Sequence, residues 1–256
     1  MRPMPGGSLM SVSSSLWQWQ DVARMAGAHP ARPPAKDVVF GGVSIDSRTT
    51  KPGELFVALR GERHDGHDHA AAALERGAAG LLVEESRWRE DRRLRGLAAA
   101  GPAVWLLAGD TLAALQGWSR AYRESLQPTA AALTGSSGKT TAKDLLAGAL
   151  GVFGPACAAQ ASFNNAIGVP LTLLSLKPDD HYLVAELGMN RSGEIASLVR
   201  MVQPHVALIT SLGRAHVGYL GHPGAVRDAK LEIIEGLAPD GTLVLPQEPP
   251  DLYAAA

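Results

Sequence analysis

Leu133-Thr134-Gly135-Ser136-Ser137-Gly138-Lys139-Thr140-Thr141 decides how this chain is read. An apolar run, 129–133, enters a turn of glycine and serine, and an amphipathic stretch of about 140–150 leaves it. Strand, glycine-rich loop and helix in that order are the context in which a loop cradles phosphate. Glycines let backbone N–H groups approach the anion, and the helix N-terminus adds partial positive charge. Lys139 then neutralises the β- and γ-phosphates, and a hydroxyl from Thr140 or Thr141 reaches a magnesium ion. The Walker pattern would place a glycine at position 133, where this chain has leucine, so the loop is a shortened one. A glycine-serine turn carrying a chance lysine is the bland alternative, and the strand–loop–helix context weighs against it.

Around that loop the chain alternates between strand-like and helical stretches. Downstream, 182–186, 206–210 and 242–245 read as strands, with helices near 193–201 and 224–237. Upstream, short apolar runs at 38–45, 55–59, 80–83 and 104–107 read as strands, the last three separated by helical stretches at 69–77 and 88–100. Such alternation predicts an α/β fold with a mostly parallel sheet in the second half. The stretch 110–126 reads as a joining helix, which puts a domain boundary near Gly109: residues 1–109 and 110–256. Two domains suit 256 residues at about 100–200 residues each.

Composition excludes several classes. A formal net charge of −1 gives no electrostatic case for nucleic acid or an anionic membrane. The single cysteine, Cys157, rules out an intramolecular disulfide and a cysteine-rich metal site. No run approaches the roughly 20 apolar residues of a membrane helix, and residues 1–20 lack the apolar core of a signal peptide. A cytoplasmic protein is expected.

Ligands of doubly wound sheets bind outside the carboxyl ends of the strands. Lys139, Glu186 and His216 all fall there. A carboxylate and an imidazole beside a phosphate loop suit Mg²⁺, although either residue taken alone is more often structural. Lys230 lies on the apolar stripe Val226, Ala229, Ile233, Ile234, Leu237 of its helix. Either burial lowers its pKa, leaving a reactive neutral amine, or its stem snorkels from the stripe's edge to solvent. The spacing leaves both open.

At this point the residues resemble a known family. The runs 134–141 (TGSSGKTT), 163–172 (FNNAIGVPLT), 185–195 (AELGMNRSGEI), Ala215-His216 and 229–233 (AKLEI) look like the central domain of the Mur ligases. Upstream, 44–48 (SIDSR), 53–61 (GELFVALRG) and 64–68 (HDGHD) resemble their UDP-sugar-binding N-terminal domain. The resemblance implies an ATP-dependent peptide ligase of peptidoglycan precursor synthesis, working through an acyl phosphate. Its ELGMN and GEI runs resemble the member that adds D-alanyl-D-alanine to UDP-N-acetylmuramoyl tripeptide. A third-residue ligase of the same family, or a non-catalytic nucleotide- or UDP-sugar-binding fragment, is the alternative.

The resemblance also implies roles. Gly135, Ser136, Ser137, Gly138, Lys139, Thr140 and Thr141, with Asn164 and Asn165, would hold ATP. Thr140, Glu186, His216 and Lys230 as its carbamate would serve Mg²⁺, with Lys139, His216 and Lys230 catalytic. Ser44, Asp46, Ser47 and Arg48 would grip the UDP substrate, although Arg48 also suits an ordinary turn. The expected partners are the UDP-linked tripeptide and D-alanyl-D-alanine, with no nucleic acid or membrane, and the expected state is a monomer. Ser211 stands where such proteins often have Asn, Leu231 where a small residue is common, and 246–251 (PQEPPD) replaces an expected polar segment. The third domain that receives D-alanyl-D-alanine is not in these 256 residues, so the isolated chain is expected to be inactive.

Overall fold

A computed structural model describes residues 17–213 and 223–247. In chain order the first part runs α1 (Trp19–Ala26), β1 (His29–Pro30), β2 (Val43–Ser44), β3 (Leu55–Val57), α2 (Ala70–Glu75) and β4 (Gly80–Glu84). It continues with α3 (Glu85–Glu90), α4 (Arg92–Ala100), β5 (Val104–Ala108) and α5 (Thr111–Leu126). The second part has β6 (Thr129–Thr134), α6 (Lys139–Leu150), β7 (Ala156–Ala158), α7 (Gly168–Leu174) and β8 (Tyr182–Glu186). Then follow α8 (Glu194–Val202), β9 (Val206–Ile209), α9 (Pro223–Leu231) and β10 (Thr242–Val244).

The chain divides into two compact units, 1–118 and 119–256. That division falls inside α5, eight residues into the helix that the sequence places at the head of the second domain.

In the first unit the sheet order is β1-β5-β4-β3-β2; β1 is antiparallel to β5 and the other pairs are parallel. Phe56, Leu81, Val83, Leu94, Trp105 and Leu107 form its core on one face. The predicted strand 38–45 shrinks to Val43–Ser44 plus an isolated bridge between Gln18 and Val39, because Gly41 and Gly42 interrupt it. The predicted helix 88–100 is two helices. Asp91 has extended backbone between them, and its side chain caps α4 by accepting from the Arg93 N–H at 2.8 Å.

In the second unit the order is β10-β9-β6-β8-β7, all parallel. The α/β expectation holds here in full. The central β6 and its neighbour β8 are near-continuous buried runs, from Ala130 to Thr134 and from Leu183 to Glu186, whereas edge strand β10 leaves Thr242 and Val244 exposed. β6 sits at the centre, with β8 on one side and β9 on the other. The sheet therefore brings the residues after β6, β8 and β9 to one edge.

Candidate active site

The loop after β6 owes its shape to two glycines. Gly135 has φ +152°, and a Cβ there would stand 2.0 Å from Thr210 Oγ1; Gly138, at φ +79°, is the N-cap of α6. Neither position suits an L side chain. The loop is laced to the residues after β9. The Ser136 and Ser137 N–H groups donate to Ser211 O at 3.0 Å and Ser211 Oγ at 2.9 Å. Thr210 Oγ1 donates to Ser137 O at 2.6 Å, and the Gly213 N–H to Ser136 Oγ at 2.9 Å. In the sequence Ser211 stands out only as a departure from relatives; in the structure its hydroxyl is part of the loop's frame.

Lys139 opens α6 and folds back, its Nζ donating to Gly135 O at 2.8 Å. One residue on, Thr140 Oγ1 donates to Glu186 Oε2 at 2.8 Å. Asn164 Nδ2 donates to the other oxygen, Oε1, also at 2.8 Å. Glu186, the last residue of β8, is 1% exposed. A buried carboxylate needs such partners. Asn164 itself is held by the Gly188 N–H, which donates to its backbone carbonyl at 2.7 Å, and a Cβ on Gly188 would stand 2.8 Å from the Asn164 side-chain amide. Asn165 acts elsewhere, its Oδ1 accepting from the Ile167 and Gly168 N–H groups at the start of α7.

Lys230, on α9, is 1% exposed alongside Val226, Ala229 and Ile233. That decides between the two readings of the stripe: the side chain is inside. No hydrogen-bond or salt-bridge partner for its amine stands among the described residues. Burial, and after it the charge of Lys139, lowers its pKa to about 8. α9 gives way to a 3-10 turn, Glu232–Gly236, where one continuous helix was expected. Glu232 there accepts from the Gly193 N–H at 2.6 Å and the Ala196 N–H at 3.2 Å, a carboxylate on the N-terminus of α8.

His216 lies outside the described residues. Among the described residues no group of three or more His, Cys, Asp or Glu could hold a metal. The donors gathered here are a carboxylate and a hydroxyl, oxygen groups of the kind Mg²⁺ takes. Their pairing fits that ion.

In the first unit, Ser44, Asp46, Ser47 and Arg48 form a compact turn. Ser44 and Ser47 are buried, and Thr50 Oγ1 donates to Ser44 Oγ at 3.0 Å and to Asp46 O at 3.0 Å. Arg48 donates Nε to Asp46 Oδ1 at 2.9 Å and a terminal nitrogen to Oδ2 at 2.7 Å. Those bonds, with the Arg48 N–H, hold the Asp46 carboxyl down to about 2. The Arg48 side chain is 86% exposed, so a planar cation is presented at the surface by a rigid turn. His67, from the nearby HDGHD run, is buried; it pairs with Asp65 and accepts from the Glu84 N–H at 2.8 Å, a structural role.

The residues match the Mur ligase middle domain over 133–255 and the Mur ligase family catalytic domain over 39–101. The chain belongs to the Mur ligase family. This Mur ligase chain is 38% identical, over 92% of its length, to the UDP-N-acetylmuramoyl-tripeptide–D-alanyl-D-alanine ligase of Bacillus subtilis (strain 168), of which it covers 50%. Its structure resembles a crystal structure of MurF from Acinetobacter baumannii, with TM-score 0.82, 32% identity, and 94% and 51% of the two chains covered. It also resembles the MurF ligase of Thermotoga maritima in complex with ADP, with TM-score 0.72, 29% identity, and 83% and 47% covered. The chain spans about half the length of these relatives. Among the described residues, no helix is long and apolar enough to cross a membrane.

Proposed function

We propose that this chain supplies the UDP-substrate and ATP sites of a cytoplasmic ligase that joins D-alanyl-D-alanine to UDP-N-acetylmuramoyl tripeptide in peptidoglycan precursor synthesis. The observation that carries this reading is the Thr140–Glu186–Asn164 cluster directly behind the phosphate loop. The names of the relatives support the substrate pair. The functional division we propose is 1–109 for the UDP substrate and 110–256 for the nucleotide.

In this reading the N–H groups of Gly138 to Thr141 and Lys139 Nζ take the ATP phosphates, which requires Lys139 to leave Gly135 O, while the Ser137 N–H stays on Ser211 Oγ. Thr140, Glu186 and carbamylated Lys230 would hold Mg²⁺, which when bound neutralises charge on the β- and γ-phosphates. Arg48, presented on the Asp46 turn, takes the diphosphate of the UDP substrate. The tripeptide's terminal carboxylate oxygen attacks the γ-phosphorus, and ADP leaves. The dipeptide amine then attacks the carbonyl carbon of the acyl phosphate, a proton is lost, and inorganic phosphate departs as the amide forms. Holding the reactants in attack geometry can supply about 7–11 kcal/mol of the barrier.

The test is a longer protein that joins these 256 residues to the third domain, given ATP, Mg²⁺, the UDP-linked tripeptide and D-alanyl-D-alanine. ADP release matched by UDP-linked pentapeptide is expected. Equal turnover of UDP-linked dipeptide with a diamino acid would assign the third-residue ligase instead.

A further inference from the structure

Lys143 is a buried lysine for which the proposed chemistry has no use. It lies on α6 one turn beyond Lys139 and is 2% exposed, whereas Leu145, two residues on, is 70% exposed. An amphipathic helix should place these two the other way round. Burying an amine is costly unless its donors are satisfied, and here they are. Nζ donates to Ala159 O at 2.7 Å and Ala161 O at 3.2 Å, and stands 3.0 Å from the carboxylate of exposed Asp144.

Both carbonyls belong to the turn between β7 and α7. Ala161 holds φ +47°, a conformation uncommon for a residue with a side chain, so something must over-determine the turn. Two short backbone bonds close it, from Phe163 N–H to Gln160 O at 3.1 Å and from Asn164 N–H to Ser162 O at 2.8 Å. Asn164, three residues after Ala161, donates to Glu186. A single helix thus reaches the carboxylate twice: directly through Thr140, and through Lys143, the turn and Asn164.

We propose that Lys143 is a positioning residue that locks the Ala159–Ala161 carbonyls to α6 and thereby holds the Asn164 amide on Glu186. The consequence for nucleotide affinity rests on the ATP-site reading above; the consequence for the Asn164 amide does not. Lys143→Met keeps the buried stem and removes the donors.

The experiment uses the 256-residue chain and reads two signals. The first is the side-chain NH₂ pair of Asn164 in ¹⁵N–¹H NMR spectra, identified by its loss in Asn164→Ala. Lys143→Met should move that pair to the position of a free amide while most of the backbone spectrum stays in place. The second is MgADP affinity. It should fall roughly 10- to 100-fold in Lys143→Met, the scale on which residues supporting metal ligands act. The double variant with Asn164→Ala should bind no more weakly than the weaker single one. An unmoved Asn164 pair, or affinity losses that multiply in the double variant, would overturn the proposal. If Lys143→Met does not fold, Lys143→Gln, which keeps one donor group, is read by the same two signals. A wild-type chain that fails to bind MgADP refutes the ATP-site reading and leaves the Asn164 signal to decide the role of Lys143.

Discussion

The Thr140 hydroxyl and the Glu186 carboxylate are bonded at 2.8 Å, which ties the helix after the phosphate loop to the end of β8. Glu186→Gln keeps the side-chain shape and can keep bonds to Thr140 and Asn164, but it removes the charge. The chain should unfold at an equal or higher temperature, since a buried charge has gone. Mg²⁺-dependent ADP affinity should fall roughly 10- to 100-fold. A variant that loses stability and keeps its affinity would make this cluster a structural one.

Lys230 gives a pH signature. Its folded-state pKa of about 8 lies below the ordinary 10.5, so the unfolded chain binds the proton more tightly. The penalty is fully present below pH 8 and fades as pH rises through 8 to 10.5. In metal-free, CO₂-free buffer, Lys230→Met should therefore stabilise the chain at pH 7, by roughly 1–3 kcal/mol. The difference should shrink toward pH 10.5. Denaturant melts at the two pH values check this, and a difference that grows with pH would contradict it. With ¹³C-bicarbonate and Mg²⁺ present, a carbamate resonance absent from Lys230→Ala should strengthen as the free amine becomes available.

The phosphate loop's shape depends on space at Gly135. Gly135→Ala should destabilise the chain by about 1–3 kcal/mol, because its Cβ meets Thr210 Oγ1 and the backbone stays strained. In a Thr210→Ala background, where the hydroxyl is gone, the same change should cost less. Thermal melts of the four proteins would show equal costs if the clash were irrelevant.

The parallel sheet and its binding edge were legible because the TGSSGKTT loop fixes strand, turn and helix in a few residues, and Tyr182–Glu186 is an unbroken apolar strand ending in a carboxylate. β7 was missed: Ala156–Ala158 has no β-branched or aromatic residue to mark it. So was α7, where Pro170 obscures a helix that accommodates it in the first turn. The burial of Lys143 was not legible at all. It depends on carbonyls 16 and 18 residues away, a tertiary contact that outweighs the helix's own apolar pattern. The burial of Lys230 was half legible, since spacing put it on the stripe without saying how deep.

Arg48 is a surface residue whose bonds to Asp46 are screened by water, so its removal should barely move the melting temperature. In the ligase assay, Arg48→Ala should raise KM for the UDP substrate roughly 10- to 100-fold, the worth of a bond between charged groups. KM for ATP should not change. An unchanged KM for the UDP substrate would leave Arg48 as an ordinary turn residue.

The most direct measurement is a calorimetric titration of MgADP into the 256-residue chain, wild type and Lys139→Ala. Saturable binding at one site is expected for the wild type, lost or weakened at least about 100-fold in the variant, whose phosphate contacts lack their cation. Equal binding by the two proteins would contradict the phosphate-loop reading on which the proposed ligase rests.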